Sequence, residues 1–240
     1  MNHLLELLRD LLFVPKCAGC GERLSAGGGP LCGECRRVYD FEKERTCPFC
    51  GSALPACSCS GAFLEKNGVR RLIKLFRYYP GDAEAVTNCM IYRLKHEAPR
   101  PLVSFLAHEL AEAIRPHLDR SERTLVTFAP RSLSARRRDG FDHMAHLSRA
   151  VAGELGVEWR RLLVRHGGSE QKKRITRVER FANMKQAYSY VGKEDLRGTR
   201  VILLDDVATS GATLLFASRT LRRAGAGNVV TAVLGTTLLE

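Results

Sequence analysis

The sequence is poor in acidic residues: 26 Asp and Glu stand against 38 Lys and Arg, for a net charge of +12. That balance raises the prior for an anionic partner, a nucleotide, a nucleic acid or a phosphorylated metabolite. A solvated basic surface is the plainer reading of the same charge. Aromatic residues make up 7% of the chain, and no alternation of Phe and Tyr forms a visible platform for stacked bases. Long apolar runs are missing as well. None approaches the roughly eighteen residues of a membrane span, so no membrane insertion is expected. Residues 1–13 mix acidic and basic residues into an apolar pattern without a small-residue cleavage site. This favours a short amphipathic helix over a signal peptide, and hence a cytoplasmic protein. A Gly-x-x-x-x-Gly-Lys-Ser/Thr loop is also absent, which removes the Walker A class of phosphate binder.

Cysteine is plentiful, with nine in the chain. Eight lie between Cys17 and Cys59, mostly as close pairs, which in a reducing compartment points to metal rather than disulfides. Cys17-Ala-Gly-Cys20 and Cys32-Gly-Glu-Cys35 form one pair of knuckles, and Cys47-Pro-Phe-Cys50 and Cys57-Ser-Cys59 the other. A Cys-x-x-Cys turn directs two thiolates at one ion, and two such turns complete a tetrahedral sulfur shell. Soft thiolates favour zinc, and iron–sulfur ligation is the alternative. Sequential pairing predicts one site from Cys17, Cys20, Cys32 and Cys35, and a second from Cys47, Cys50, Cys57 and Cys59. The second signal is weaker, because Cys57-x-Cys59 is one residue short of a standard knuckle. Four protein ligands at each site leave no open position, so both read as structural. Cys89 stands apart and reads as a buried thiol.

Beyond the cysteines the texture changes. Residues 63–120 look largely helical, with Phe105, Leu106, Leu110, Ala113 and Ile114 on one face before Pro116. From 121 to 240 short apolar runs alternate with helical patterns, as in βαβ units with a parallel sheet. Strands are expected at 124–129, 201–204 and 228–234, and helices at about 144–155 and 213–224, with Gly225 as a C-cap. Residues 165–190 are polar and basic, a long irregular stretch of the kind that often serves as a flap. The division predicted is a ribbon region, 1–62, and an α/β domain, 63–240.

One segment concentrates chemistry. Val201-Ile-Leu-Leu204 runs into Asp205 and Asp206, then into Thr209, Ser210, Gly211, Ala212 and Thr213, where a helix begins. Small residues let backbone N–H groups approach a phosphate, and a helix N-terminus adds a favourable partial charge. Adjacent carboxylates would repel that phosphate, so they suit the hydroxyls of a neighbouring sugar. An ordinary strand–turn–helix with Asp and Thr as caps is the alternative.

The segment resembles the fingerprint of the type I phosphoribosyltransferases. Joined to cysteine knuckles it is similar to the ComF (GntX-like) family, bacterial proteins tied to DNA uptake in natural competence. Three further stretches carry the resemblance. Phe128-Ala-Pro-Arg131-Ser132 is similar to the family's pyrophosphate-side loop. Arg136 to His143 is similar to its Arg-Gly-Phe-Asn-Gln segment, with Asp139, Asp142 and His143 in place of Arg, Asn and Gln. Gln171, Arg180, Asn183, Ala187 and Tyr188 follow its flap spacing. The resemblance implies a phosphoribosyltransferase fold that binds phosphoribosyl pyrophosphate with Mg²⁺. Asp205 and Asp206 would hold the ribose hydroxyls, residues 209–213 the 5′-phosphate, and Arg131, Ser132, Arg136 and Arg138 the pyrophosphate side. Thr209 stands where purine-salvage members carry Asp, which argues against that role. Transfer to an acceptor is the first functional reading. A single-stranded DNA-binding competence factor without turnover is the second, and a sensor of the donor is the third.

Overall fold

The computed structural model describes residues 15–25, 27–119, 121–131, 137, 140–166 and 187–237. The expected helix at 1–13, together with Ser132, Arg136, Arg138, Asp139, Gln171, Arg180 and Asn183, lies outside them.

A parallel five-stranded sheet organises the α/β part. Its strands are β1 (Leu72–Arg77), β2 (Arg123–Phe128), β3 (Glu158–Trp159), β6 (Thr199–Ala208) and β7 (Asn228–Thr236), in the spatial order β1-β7-β6-β2-β3. The continuous apolar runs of β6 and β7 follow from their central place, because helices cover both faces. Side chains alternate across the sheet. Ile202, Leu204, Val230, Ala232 and Leu234 enter a core with helices α3 (Val86–His96), α4 (Arg100–Ile114) and α5 (His143–Leu155). Val201, Leu203, Val229 and Val233 enter another with α6 (Ala212–Arg223). The expected helices near 144–155 and 213–224 are α5 and α6. Helix α6 ends at Arg223 and its C-cap is Ala224 rather than the expected Gly225, which follows at φ +102°.

Two features depart from expectation. The stretch 63–120 is not only helical, because it contains β1, which pairs with β7 from Leu72↔Thr231 to Arg77↔Thr236. Its Leu-Ile-Lys-Leu-Phe-Arg run is too short for periodicity to separate strand from helix. A partner strand at the far end of the chain decides the matter. Cys89 is half-buried rather than buried, with its Sγ donating to the Ala83 carbonyl at 3.2 Å.

The cysteine-rich segment packs at the β1 end of the sheet. Helix α1 (Gly33–Glu44) places Tyr39 in the α3–α4 core, where its hydroxyl donates to Glu109 at 3.1 Å. The Leu72 amide, at the start of β1, donates to the Ser58 carbonyl at 3.0 Å. Covering an edge strand in this way removes a template for unwanted pairing. Two short strands, β4 (Leu163–Arg165) and β5 (Tyr188–Tyr190), pair antiparallel at the base of the expected flap. No helix among the described residues is long and apolar enough to cross a membrane.

Candidate functional site

Two sets of four thiols converge. In each of the sets Cys17, Cys20, Cys32, Cys35 and Cys47, Cys50, Cys57, Cys59, all sulfurs lie within 4.8 Å of one another. Tetrahedral zinc with bonds of about 2.3 Å requires sulfurs about 3.8 Å apart. Cys20 and Cys32 are 3.8 Å apart and Cys50 and Cys57 3.5 Å, so the donor set fits the ion. The leading knuckles repeat one local fold. Cys17 N–H donates to Glu22 and Cys47 N–H to Ser52, while Gly21 and Gly51 donate back to Cys17 and Cys47. Both glycines have positive φ and supply the left-handed step that closes each turn.

The second locus lies at the C-terminal ends of β2 and β6, where ligands of parallel sheets gather. Strand β6 runs beyond the expected Leu204 to Ala208, so Asp205 and Asp206 are strand residues and point to opposite faces. Asp206 faces the α3–α5 side. Its Oδ2 is 2.9 Å from His143 Nε2 and 3.2 Å from Lys95 Nζ. Burial would raise its pKa, but the His143 hydrogen bond and the Lys95 charge outweigh that and bring it to about 2. Asp205 faces the α6 side, where its Oδ1 accepts the Asp206 amide at 3.0 Å. Burial, and then the neighbouring Asp206 charge, push its carboxyl well above the usual range. One carboxylate is thus fixed by Lys95 and His143, and the other is left with high proton affinity.

After Ala208 the chain turns through exposed Thr209 and Ser210 to Gly211, at φ 71°, which begins α6. Gly211 at the N-cap has no side chain to cap the helix, and the Ala212 amide donates to Ser210 Oγ at a long 3.5 Å, a helix N-terminus of the kind that suits an anion. Thr236 and Thr237 hydroxyls brace the turn by donating to the carbonyls of Ala208 and Thr209, at 3.1 and 3.2 Å. A Cβ on Gly211 would lie 2.8 Å from Leu64 Cδ2, in the short helix α2 (Ala62–Lys66). Arg131 follows the neighbouring strand end, where Ala129 N–H donates to Leu204 at 2.9 Å.

Two family models match the chain: a double zinc ribbon domain over residues 8–68 and a phosphoribosyl transferase domain over residues 142–236. The chain thus resembles a double zinc ribbon followed by a phosphoribosyltransferase domain. The DNA utilization protein YhgH of Salmonella typhimurium is 25% identical over 229 residues, which cover 91% of this chain and 96% of that protein. Its Salmonella typhi counterpart is 24% identical over 227 residues, with the same coverage. Among solved structures, a purine phosphoribosyltransferase from Pyrococcus horikoshii aligns at 18% identity and TM-score 0.37, covering 56% of this chain and 73% of that one.

The fold brings Asp205, Asp206, the 209–213 turn and Arg131 to one end of the sheet. Sequence reasoning misses Lys95. It stands near the end of α3, and only the long-range packing of that helix brings it to Asp206. His143 stands out as a departure from the family's Gln, and that substitution is the available signal. Its neighbour Asp142 precedes α5 without capping it, and both its carboxylate oxygens are buried without a partner among the described residues.

Proposed function

We propose that the Asp205–Thr213 segment binds phosphoribosyl pyrophosphate, with the ribose hydroxyls on the carboxylates and the 5′-phosphate on the amides of the turn. The observation that carries this reading is the small, hydroxyl-rich turn and the N-terminus of α6 directly beyond the Asp205–Asp206 pair. Arg131, Ser132, Arg136 and Arg138 would meet the pyrophosphate, as bidentate or charge-assisted donors. Mg²⁺, when bound with the donor, would act as a Lewis acid that eases departure of pyrophosphate. Asp205 suits such a hard cation because its only hydrogen bond among the described residues is from a backbone amide. Lys95 and His143 keep Asp206 ionised and fixed, so the sugar meets a preset acceptor. We place the division between ribbon and transferase-like domain at 62/63, and the protein in a reducing cytoplasm, in DNA uptake. Transfer to an acceptor is part of this reading.

The test is a thermal shift. Donor with Mg²⁺ at a hundredfold excess over Kd should add about 2.7 kcal/mol of stability. Asp205→Ala/Asp206→Ala should abolish the shift. A wild-type protein without any shift would sink the reading.

A second reading, single-stranded DNA binding without turnover, draws on one structural feature. Phe41, Phe49 and Tyr92 are 60%, 61% and 62% exposed, and the Arg45 guanidinium lies 5.5 Å from the Phe41 ring centre. Exposed rings beside cations suit unstacked bases. Binding that weakens steeply with salt and with Phe41→Ala/Phe49→Ala would favour it, and no binding at low salt would exclude it.

A further inference from the structure

Lys74 lies in the middle of β1 with none of its surface exposed. Its Nζ is 3.0 Å from Cys57 Sγ, 2.7 Å from the Cys59 carbonyl oxygen and 3.2 Å from the Leu72 carbonyl oxygen. Three acceptors in reach match the three N–H donors of a lysine ammonium. A buried ammonium is strongly unfavourable unless a negative group faces it. Of the three acceptors, the Cys57 sulfur is the one that metal binding would make a thiolate. A zinc ion with four thiolates keeps an excess of negative charge, which a lysine in hydrogen-bond reach would offset.

We propose that Lys74 is an outer-shell residue of the second zinc centre, holding both ends of the Cys57-Ser-Cys59 knuckle and binding that centre to the sheet. The two bonds explain how a knuckle one residue short can ligate. Lys74 fixes the sulfur of one cysteine and the carbonyl of the other, a constraint that the missing residue would otherwise supply. Outer-shell donors commonly orient ligands and tune the metal in this way.

The same lysine places the metal beside the candidate site. Lys74 pairs with Val233, and Val233 pairs with Asp205, so the three occupy one cross-strand row on one face. Two strand spacings set Lys74 and Asp205 about 10 Å apart. Leu64, a few residues beyond Cys59, packs on Gly211 of the turn. The first centre has no equivalent: among the described residues no lysine ammonium is hydrogen-bonded to Cys17, Cys20, Cys32 or Cys35.

Zinc release from the full-length, zinc-loaded protein into a chelating dye tests this. In Lys74→Met one of the two ions should leave about 10–100 times faster than in wild type, while the other keeps its rate. Lys74→Gln, which retains an N–H donor without the charge, should fall between. Equal rates for both ions in all three proteins would overturn the proposal. Should Lys74→Met fail to fold, cobalt-loaded wild type and Lys74→Gln decide. Removal of the charged donor should move half of the thiolate-to-cobalt charge-transfer intensity to lower energy, and identical spectra would contradict the assignment.

Discussion

Cys17–Cys20 and Cys47–Cys50 are folded by the same pattern of backbone hydrogen bonds, yet the pairs that complete their sets come from unlike structure. Cys32 caps helix α1 and Cys35 lies in its first turn, so the first ribbon is closed by a helix that rests through Tyr39 on α4. Cys57 and Cys59 follow a short 3-10 turn and are closed by Lys74, a residue of the sheet itself. The first ribbon joins the domain through the apolar core, by Ala18 and Tyr39. The second, which borrows a lysine from β1, depends on the sheet, and the sheet depends on it.

Ligand substitutions should break the comparison most strongly. Cys57→Ser should lose the second zinc, leave Lys74 without a counter-charge, and lower stability by several kcal/mol. Cys20→Ser, at an exposed ligand of the first set, should lose one zinc with a smaller fall in Tm. Zinc stoichiometry and calorimetric melting would check both, and equal losses would contradict the asymmetry.

Gly211→Ala tests the Leu64 contact. Gly211 has positive φ and Leu64 stands where a Cβ would go. Alanine there should cost about 1–3 kcal/mol and weaken donor binding more than it disturbs either zinc. Smaller again is the effect of Lys95→Met. Removing this partner of Asp206 should cost on the order of 1 kcal/mol at neutral pH. The sign of the pH dependence follows from the lowered carboxyl. With its folded pKa at about 2, Asp206 stabilises the fold above the ordinary carboxylate range, and that contribution disappears as pH falls towards 2. Acid unfolding curves should differ least between Lys95→Met and wild type at the lowest pH.

Asp205 gives the opposite sign. Its carboxyl is raised, so donor and Mg²⁺ that require the ionised form should bind more tightly as pH rises, with release of a proton. Calorimetric titrations in two buffers of different protonation enthalpy would show this, and buffer-independent heats would count against it.

Much of the fold is legible in the sequence because its signals are local. Strands β2, β6 and β7 are apolar runs, and α5 and α6 carry their own periodicity and glycine stops. The eight cysteines announce their pairing by spacing alone. What escapes depends on distant packing. Strand β1 is an edge strand whose lysine looks like the polar face of a helix until Cys57 supplies its partner. Lys95 reaches Asp206 only after α3 has folded onto the sheet. The expected end of β6 falls too early because two aspartates resemble the start of a turn. Pairing with β7 through Asp205↔Val233 to Ala208↔Thr236 extends the strand instead.

A crystal structure with phosphoribosyl pyrophosphate and Mg²⁺ is the most direct test of the central claim. The 5′-phosphate should rest on the amides of residues 210–213, with the ribose hydroxyls at Asp205 and Asp206. Donor bound away from this turn, or a turn left empty at saturating donor, would contradict the account.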